Sequence, residues 1–139
     1  MVDAKEVVAR FVQAFNAHDL DAALACVADE FVDHTGPVGA KGLRASIATL
    51  FKAMPDLHAT CEDVIAEDDR VVCRLTVRGT QTGPFEVVRF ALAATGRRTC
   101  VEQIHIYRVK EGRLVEHWAI RDDVAILRQL GVPPFAQTT

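Results

Sequence analysis

Hydrophobic positions recur at helical spacing through the first third of this chain and alternate through most of the rest. Val7, Val8, Phe11, Val12 and Phe15 share one side of a helix running to about Asn16, and Asp3 with Glu6 forms a capping box at its start. A second short helix carries Leu20, Ala23, Leu24 and Val27, with Asp19 and Asp21 near its positive amino-terminal end, and stops near Ala28. Glu30 to His34 reads as a short strand, and Thr35 to Gly39 as a loop. A third helix then presents Leu43, Ile47, Leu50, Phe51 and Met54 on one side until Pro55 ends it.

From Leu57 the period becomes two, with turn signals at Glu67 to Arg70, Gly83 to Pro84 and Thr95 to Gly96, so four or five antiparallel strands are expected. Val71, Cys73, Leu75 and Val77 alternate with Val72, Arg74, Thr76 and Arg78, which gives one apolar side and one mixed side that suits a cavity wall. Phe90 to Ala94 is apolar throughout and fits either a strand or the lip of a pocket. The stretch Cys100 to Gly131 reads as a hairpin feeding a capped helix. Val101, Gln103, His105, Tyr107 and Val109 project to one side, and Ile104 and Ile106 to the other. A three-residue loop of Lys110, Glu111 and Gly112 sets Val109 opposite Arg113, His105 across from His117 and Gln103 across from Ala119. A four-residue loop would turn Trp118 to that face instead.

Asp122 or Asp123 caps a last helix bearing Val124, Ile126, Leu127 and Leu130, closed by Gly131, Pro133 and Pro134. Helices first and strands afterwards predict an α+β fold, with three N-terminal helices and a short C-terminal helix packed on a strongly curved antiparallel sheet. One domain spanning residues 1–139 is expected.

Composition narrows the functional classes. A net charge of −3 with basic residues scattered among acids offers no stripe for nucleic acid. No apolar run approaches the roughly 20 residues that cross a bilayer, and the charged start MVDAKEVVARF is unlike a secretory signal, so a soluble cytoplasmic protein is expected. Cys26, Cys61, Cys73 and Cys100 lack metal-binding spacing and read as reduced core thiols. His34, His105 and His117 are the residues that would have to converge for a metal, and none is expected. The chain has neither a phosphate-cradling glycine loop nor a dinucleotide fingerprint, so no cofactor is expected.

The phrases RFVQAFNAHDLDAALACVADEFVDH, EDDRVVCRLTVRGTQTGPF and HIYRVKEGRLVEHWAIRDDVAILRQLG resemble the SnoaL-like polyketide cyclase family, which has the cone-shaped nuclear transport factor fold. The resemblance runs from about Val7 to Leu130. In such cyclases an aspartate acting as acid and base, with a histidine nearby on the preceding strand, assists an aldol ring closure. By resemblance the histidine is His105, whereas the aspartate position is Ala119, which moves no proton. Asp122 matches a further family aspartate and reads as a helix cap. Ketosteroid isomerases share the fold and carry their base in a D-P-V-G context similar to the segment around His34, which implies a base role for His34, helped by Asp33.

The candidate catalytic residues are therefore His105, His34 and His117. His117 either holds the His105 ring or lines the sheet, and each histidine also has a purely structural reading. Candidate substrate contacts are the aromatics Phe15, Phe51, Phe90, Tyr107 and Trp118, which serve equally as core. Gln103, Ala119 and Asp122 complete the candidate pocket. The leading expectation is a cofactor-independent proton-transfer enzyme, a cyclase or isomerase, acting on an apolar carbonyl-bearing small molecule. The rival is a non-catalytic binding or accessory module, which Ala119 favours. Ile104, Ile106 and Ile120 on the opposite face predict a homodimer.

Overall fold

Three of the helices each begin where an aspartate reaches back to a free amide. A computed structural model describes residues 3–36, 39–87 and 90–133. Asp3 caps α1 (Ala4–Asn16) by accepting from Lys5 N at 3.1 Å, and Asp19 caps α2 (Leu20–Ala25) by accepting from Ala22 N at 3.0 Å. Strand β1 (Val27–Asp33) follows, then α3 (Gly39–Ala53), which stops short of Pro55 as expected. The second helix ends earlier than Ala28 because Val27 and Ala28 are already strand.

The remaining strands are β2 (His58–Glu67), β3 (Arg70–Thr80), β4 (Phe85–Val87), β5 (Phe90–Leu92), β6 (Arg98–Lys110) and β7 (Arg113–Arg121), before α4 (Asp123–Gln129). Five of them form one sheet in the order β1-β7-β6-β3-β2, and β4 and β5 pair separately as a small hairpin. Asp122 caps α4 through Ala125 N at 3.0 Å. The expected antiparallel sheet needs one amendment: β1 joins the edge parallel to β7, with Asp33 beside His117. Sequence periodicity carries no information on the direction in which an edge strand pairs.

The inner face collects alternate residues, among them Val71, Cys73 and Leu75 from β3 and Val101, His105 and Tyr107 from β6, all nearly inaccessible to solvent. Phe11, Val7 and Val8 of α1 and Ile47 of α3 pack over them. Asn16 ties α1 to the sheet by imitating a strand: its side chain donates to Ala59 O and accepts from Ala59 N, both at 2.8 Å. The reading of all four cysteines as core thiols is corrected for Cys61 and Cys100, which are exposed, Cys100 because it occupies an outward position of β6.

The hairpin register also differs from the expected one. Lys110 pairs with Arg113, so the turn contains only Glu111 and Gly112, both at positive φ (50° and 73°), the mirror-type turn favoured between twisted strands. Val109 then faces Leu114, but Arg108 faces Glu116, leaving Val115 without a cross-strand partner. This bulge resets the alternation. His117 lies opposite Tyr107 and Ala119 opposite His105, all facing inward, while Trp118 pairs with Ile106 on the outer face. A regular ladder from the same turn would have brought Trp118 inside and put His117 out.

Candidate active site

Between the helices and the inner sheet face lies a cavity of about 720 Å³. Its walls are mostly apolar, with Phe11 and Phe15 from α1, Ile47 from α3, Leu75 from β3 and Ile126 from α4. Polar groups are gathered mainly on β1, β6 and β7, where Asp33, Gln103, His105, His117 and Arg121 border the space.

Four of these side chains form one line. Asp33 Oδ1 lies 3.0 Å from His117 Nδ1, His117 Nε2 lies 2.7 Å from His105 Nδ1, and His105 Nε2 lies 2.8 Å from Gln103 Oε1. Both imidazoles and the carboxylate are buried. The two histidines meet diagonally rather than face to face, within reach because alternate positions on neighbouring strands are close. Asp33 also accepts from Thr35 N and Thr35 Oγ1, each at 2.9 Å. Tyr107 stacks on both rings, its centroid 5.9 Å from His105 and 4.8 Å from His117.

The electrostatics separate the members of the line. Burial by itself would raise the Asp33 carboxyl, but the hydrogen bond and charge of His117 and the two bonds from Thr35 outweigh it and hold the group at about 2. Asp33 is thus a permanent anion. Burial pushes His105 well below the ordinary imidazole value, and the charges of His117 and Arg121 add to this against the weaker pull of Asp33, so His105 is neutral near pH 7. Burial raises the Tyr107 hydroxyl, which keeps its proton.

Hydrogen-bond directions allow two proton counts in the line. With the Gln103 carbonyl facing His105 Nε2, that nitrogen bears the ring proton and Nδ1 accepts from His117 Nε2–H, while His117 Nδ1–H donates to Asp33. His117 is then an imidazolium. Turning the Gln103 amide over makes it a donor to Nε2, moves the His105 proton to Nδ1 and leaves His117 neutral, one proton fewer in the line. Both arrangements satisfy every group, and among the described residues no buried side-chain nitrogen or oxygen lacks a partner.

The other expected site residues divide. Phe15, Gln103, Tyr107 and Asp122 border the cavity, with Asp122 spending its carboxylate on the α4 amide. His34 borders it as well, yet its ring turns to the outer rim, where Nε2 sits 2.8 Å from Glu116 Oε2 and the ring stacks on Trp118 at 4.8 Å. Glu116 also accepts from Arg108 at 2.6 Å. Trp118 is outside because of the bulge, Phe51 packs on Phe15 and His18 without lining the cavity, and Ala119 is buried opposite His105. The Phe90 side chain lies outside the described residues, as do Pro37 and Val38. Asp33, expected to help His34, instead anchors His117. Among the described residues no three potential ligands gather to hold a metal ion, since the line of Asp33, His117 and His105 runs end to end.

Comparison with known proteins bears on the same scaffold. The chain is 27% identical over 135 residues to the aklanonic acid methyl ester cyclase DauD of Streptomyces sp. (strain C5), covering 92% of this chain and 81% of that protein. Its structure is similar to that of TsrD from Streptomyces laurentii, with a TM-score of 0.82 and 29% identity over 94% of this chain and 98% of the other. IdmH from Streptomyces antibioticus gives a TM-score of 0.79 and 30% identity, covering 94% of this chain and 100% of its own. A sheet wrapped by helices around an apolar cavity, the hairpin that supplies His105 and His117, and a family profile matching residues 5–130 all lead to one assignment: the chain belongs to the SnoaL-like polyketide cyclase family.

Proposed function

We propose that this protein closes rings by cofactor-independent proton transfer on a largely apolar, carbonyl-bearing molecule of polyketide type, with His105 as the base. The observation that carries the reading is the buried line Asp33, His117, His105, which ends on a neutral imidazole nitrogen at the cavity. The step starts from the arrangement with the His105 proton on Nδ1 and His117 neutral, in which Gln103 gives up Nε2 to the substrate. As Nε2 takes a proton from carbon adjacent to the carbonyl, Nδ1–H passes to His117 Nε2, and the positive charge settles beside Asp33 instead of on His105. The enolate forms a carbon–carbon bond to a second carbonyl of the same molecule. The resulting alkoxide recovers a proton from Nε2–H, the line resets, and no proton is gained or lost overall. The same base without the bond-forming step would make an isomerase.

Ala119 supports a second reading, a module that binds such molecules without converting them, because the inner-face position opposite His105 offers only a methyl group. A flexible diketone able to close a six-membered ring by aldol addition separates the two. Wild-type protein is expected to accelerate closure and His105→Ala to lose about 10²–10⁴-fold of that acceleration. Saturable binding of the diketone with no closure by wild type would establish the module instead.

The outer sheet face carries Ile65, Ile104 and Ile120 at 65%, 47% and 79% exposure, a patch suited to a second copy of the chain, so a homodimer is part of the proposal. Among the described residues no helix is long and apolar enough to cross a membrane, and the four free thiols suit a reducing cytoplasm.

A further inference from the structure

One oxygen of the Asp33 carboxylate carries all of its hydrogen bonds. Thr35 N and Thr35 Oγ1, each at 2.9 Å, and His117 Nδ1, at 3.0 Å, all meet Oδ1, and among the described residues no donor reaches Oδ2. The residue is only 7% exposed and borders the cavity. Oδ2 is nevertheless not sealed in, because among the described residues every fully enclosed side-chain oxygen or nitrogen has a partner. Gly36, on the same border, brings no side chain against it; a β-carbon there would stand 3.4 Å from Oδ2. The open side of the carboxylate thus gives on to the cavity, at the end of the line away from Gln103.

An ionised carboxylate is acceptor-only, and an anionic oxygen in a mostly apolar enclosure is costly unless a donor meets it. Solvent entering the free cavity can meet it, but a molecule that fills the cavity displaces the solvent and must bring a donor of its own. An ether or a second carbonyl would leave Oδ2 unpaired and set acceptor against acceptor, whereas a neutral hydroxyl makes a charge-assisted bond. We infer that Asp33 Oδ2 is a specificity contact of this cavity and accepts a hydrogen bond from a phenol or enol hydroxyl of the substrate. The inference rests on the reading above in taking the cavity as the substrate site, and it adds the chemistry of the substrate's far end. The carbonyl that reacts lies by His105, and a hydroxyl lies two imidazole rings away by Asp33. Asp33 then has two duties on two oxygens: Oδ1 steadies His117, and Oδ2 selects the molecule.

Binding alone tests this, with 5-, 6- and 7-hydroxy-1-tetralone as probes, each compared with the same ketone bearing fluorine in place of the hydroxyl and with plain 1-tetralone. None of these hydroxyls can bond to the carbonyl of its own molecule, and at about pH 6 a phenol keeps its proton. In calorimetric titrations wild type is expected to bind at least one hydroxy ketone about tenfold or more tightly than its fluoro counterpart and the parent ketone. In Asp33→Asn the Thr35 and His117 donors hold the amide oxygen at the Oδ1 position and turn the NH2 group to the cavity, so a donor replaces an acceptor in the same place. The preference should then fall to about twofold or less, with affinity for plain 1-tetralone within about twofold of wild type. Unfolding curves establish that the variant is folded. Equal affinities of wild type for the hydroxy and fluoro ketones, or no binding of any of them, would overturn the inference whatever the fate of the variant, as would an undiminished preference in folded Asp33→Asn. The readout needs no turnover: a wild type that shows the preference but closes no ring keeps the contact and removes the base assignment, and one that closes rings without the preference does the reverse.

Discussion

At Ala119 a methyl group occupies the inner-face position across from His105, and the carboxylate that serves the two imidazoles comes from Asp33, on a different strand. The exchange matters because a carboxylate held at about 2 is a poor proton acceptor in itself but a good partner for a cation one ring away. It also ties stability to pH. The folded value lies below the unfolded reference of 3.8, so the contribution of Asp33 is present above that value and is lost as pH falls through about 2. The size is about 2 kcal/mol. In acid titrations followed by circular dichroism, Asp33→Asn should lose this dependence while being about 1–3 kcal/mol less stable than wild type at pH 7. An unchanged acid midpoint would show that Asp33 is not the anchor. His105, Gln103 and Tyr107 were legible in the sequence because strict alternation set them on one face. Asp33 was assigned to the wrong histidine, since two adjacent residues at a strand end point to opposite sides and nothing local says which side is inside.

The hairpin of β6 and β7 decides which residues meet. Its turn was located correctly, but its loop was read one residue too long and the bulge at Val115 was not foreseen. A bulge leaves no mark in a hydrophobic pattern, since Leu114 and Val115 are both buried and read equally well as a continuous strand. Each difference shifts the pairing by one residue in the same sense, and a shift of two restores the face, so His117 still points inward, though opposite Tyr107 instead of His105. The turn itself depends on Gly112 at φ 73°, which a β-branched residue reaches only under strain. Gly112→Val should destabilise the protein by about 1–2 kcal/mol in denaturant titrations, with no change expected if the turn were of a type lacking positive φ. The helices were easier to read, because Asp3 and Asp122 cap their helices as their spacing suggested, while Asp19, read only as an acid near the positive end, turns out to cap α2.

For the whole molecule, the α+β cone was legible because three helices precede every strand but β1 and one helix follows the strands, and amphipathic elements in that order pack in few ways. The parallel edge strand and the separate β4–β5 hairpin were not, because both depend on contacts between segments distant in sequence. The inner face supplies the cavity and the outer face is left partly apolar. If that face joins two copies, Ile120→Glu should convert a dimer to a monomer in sedimentation at micromolar concentration; a wild-type monomer would refute the assignment of the face.

The relay from Asp33 through His117 to His105 is tested most directly by its first half-reaction, exchange of the acidic hydrogens of a bound 1,3-diketone in heavy water, followed by proton NMR. Wild type should exchange them well above the buffer rate. His105→Ala should fall about 10²–10⁴-fold and Asp33→Asn about 10²-fold, with the diketone still bound in both. Exchange by Asp33→Asn at the wild-type rate, or exchange by His105→Ala undiminished, would contradict the relay.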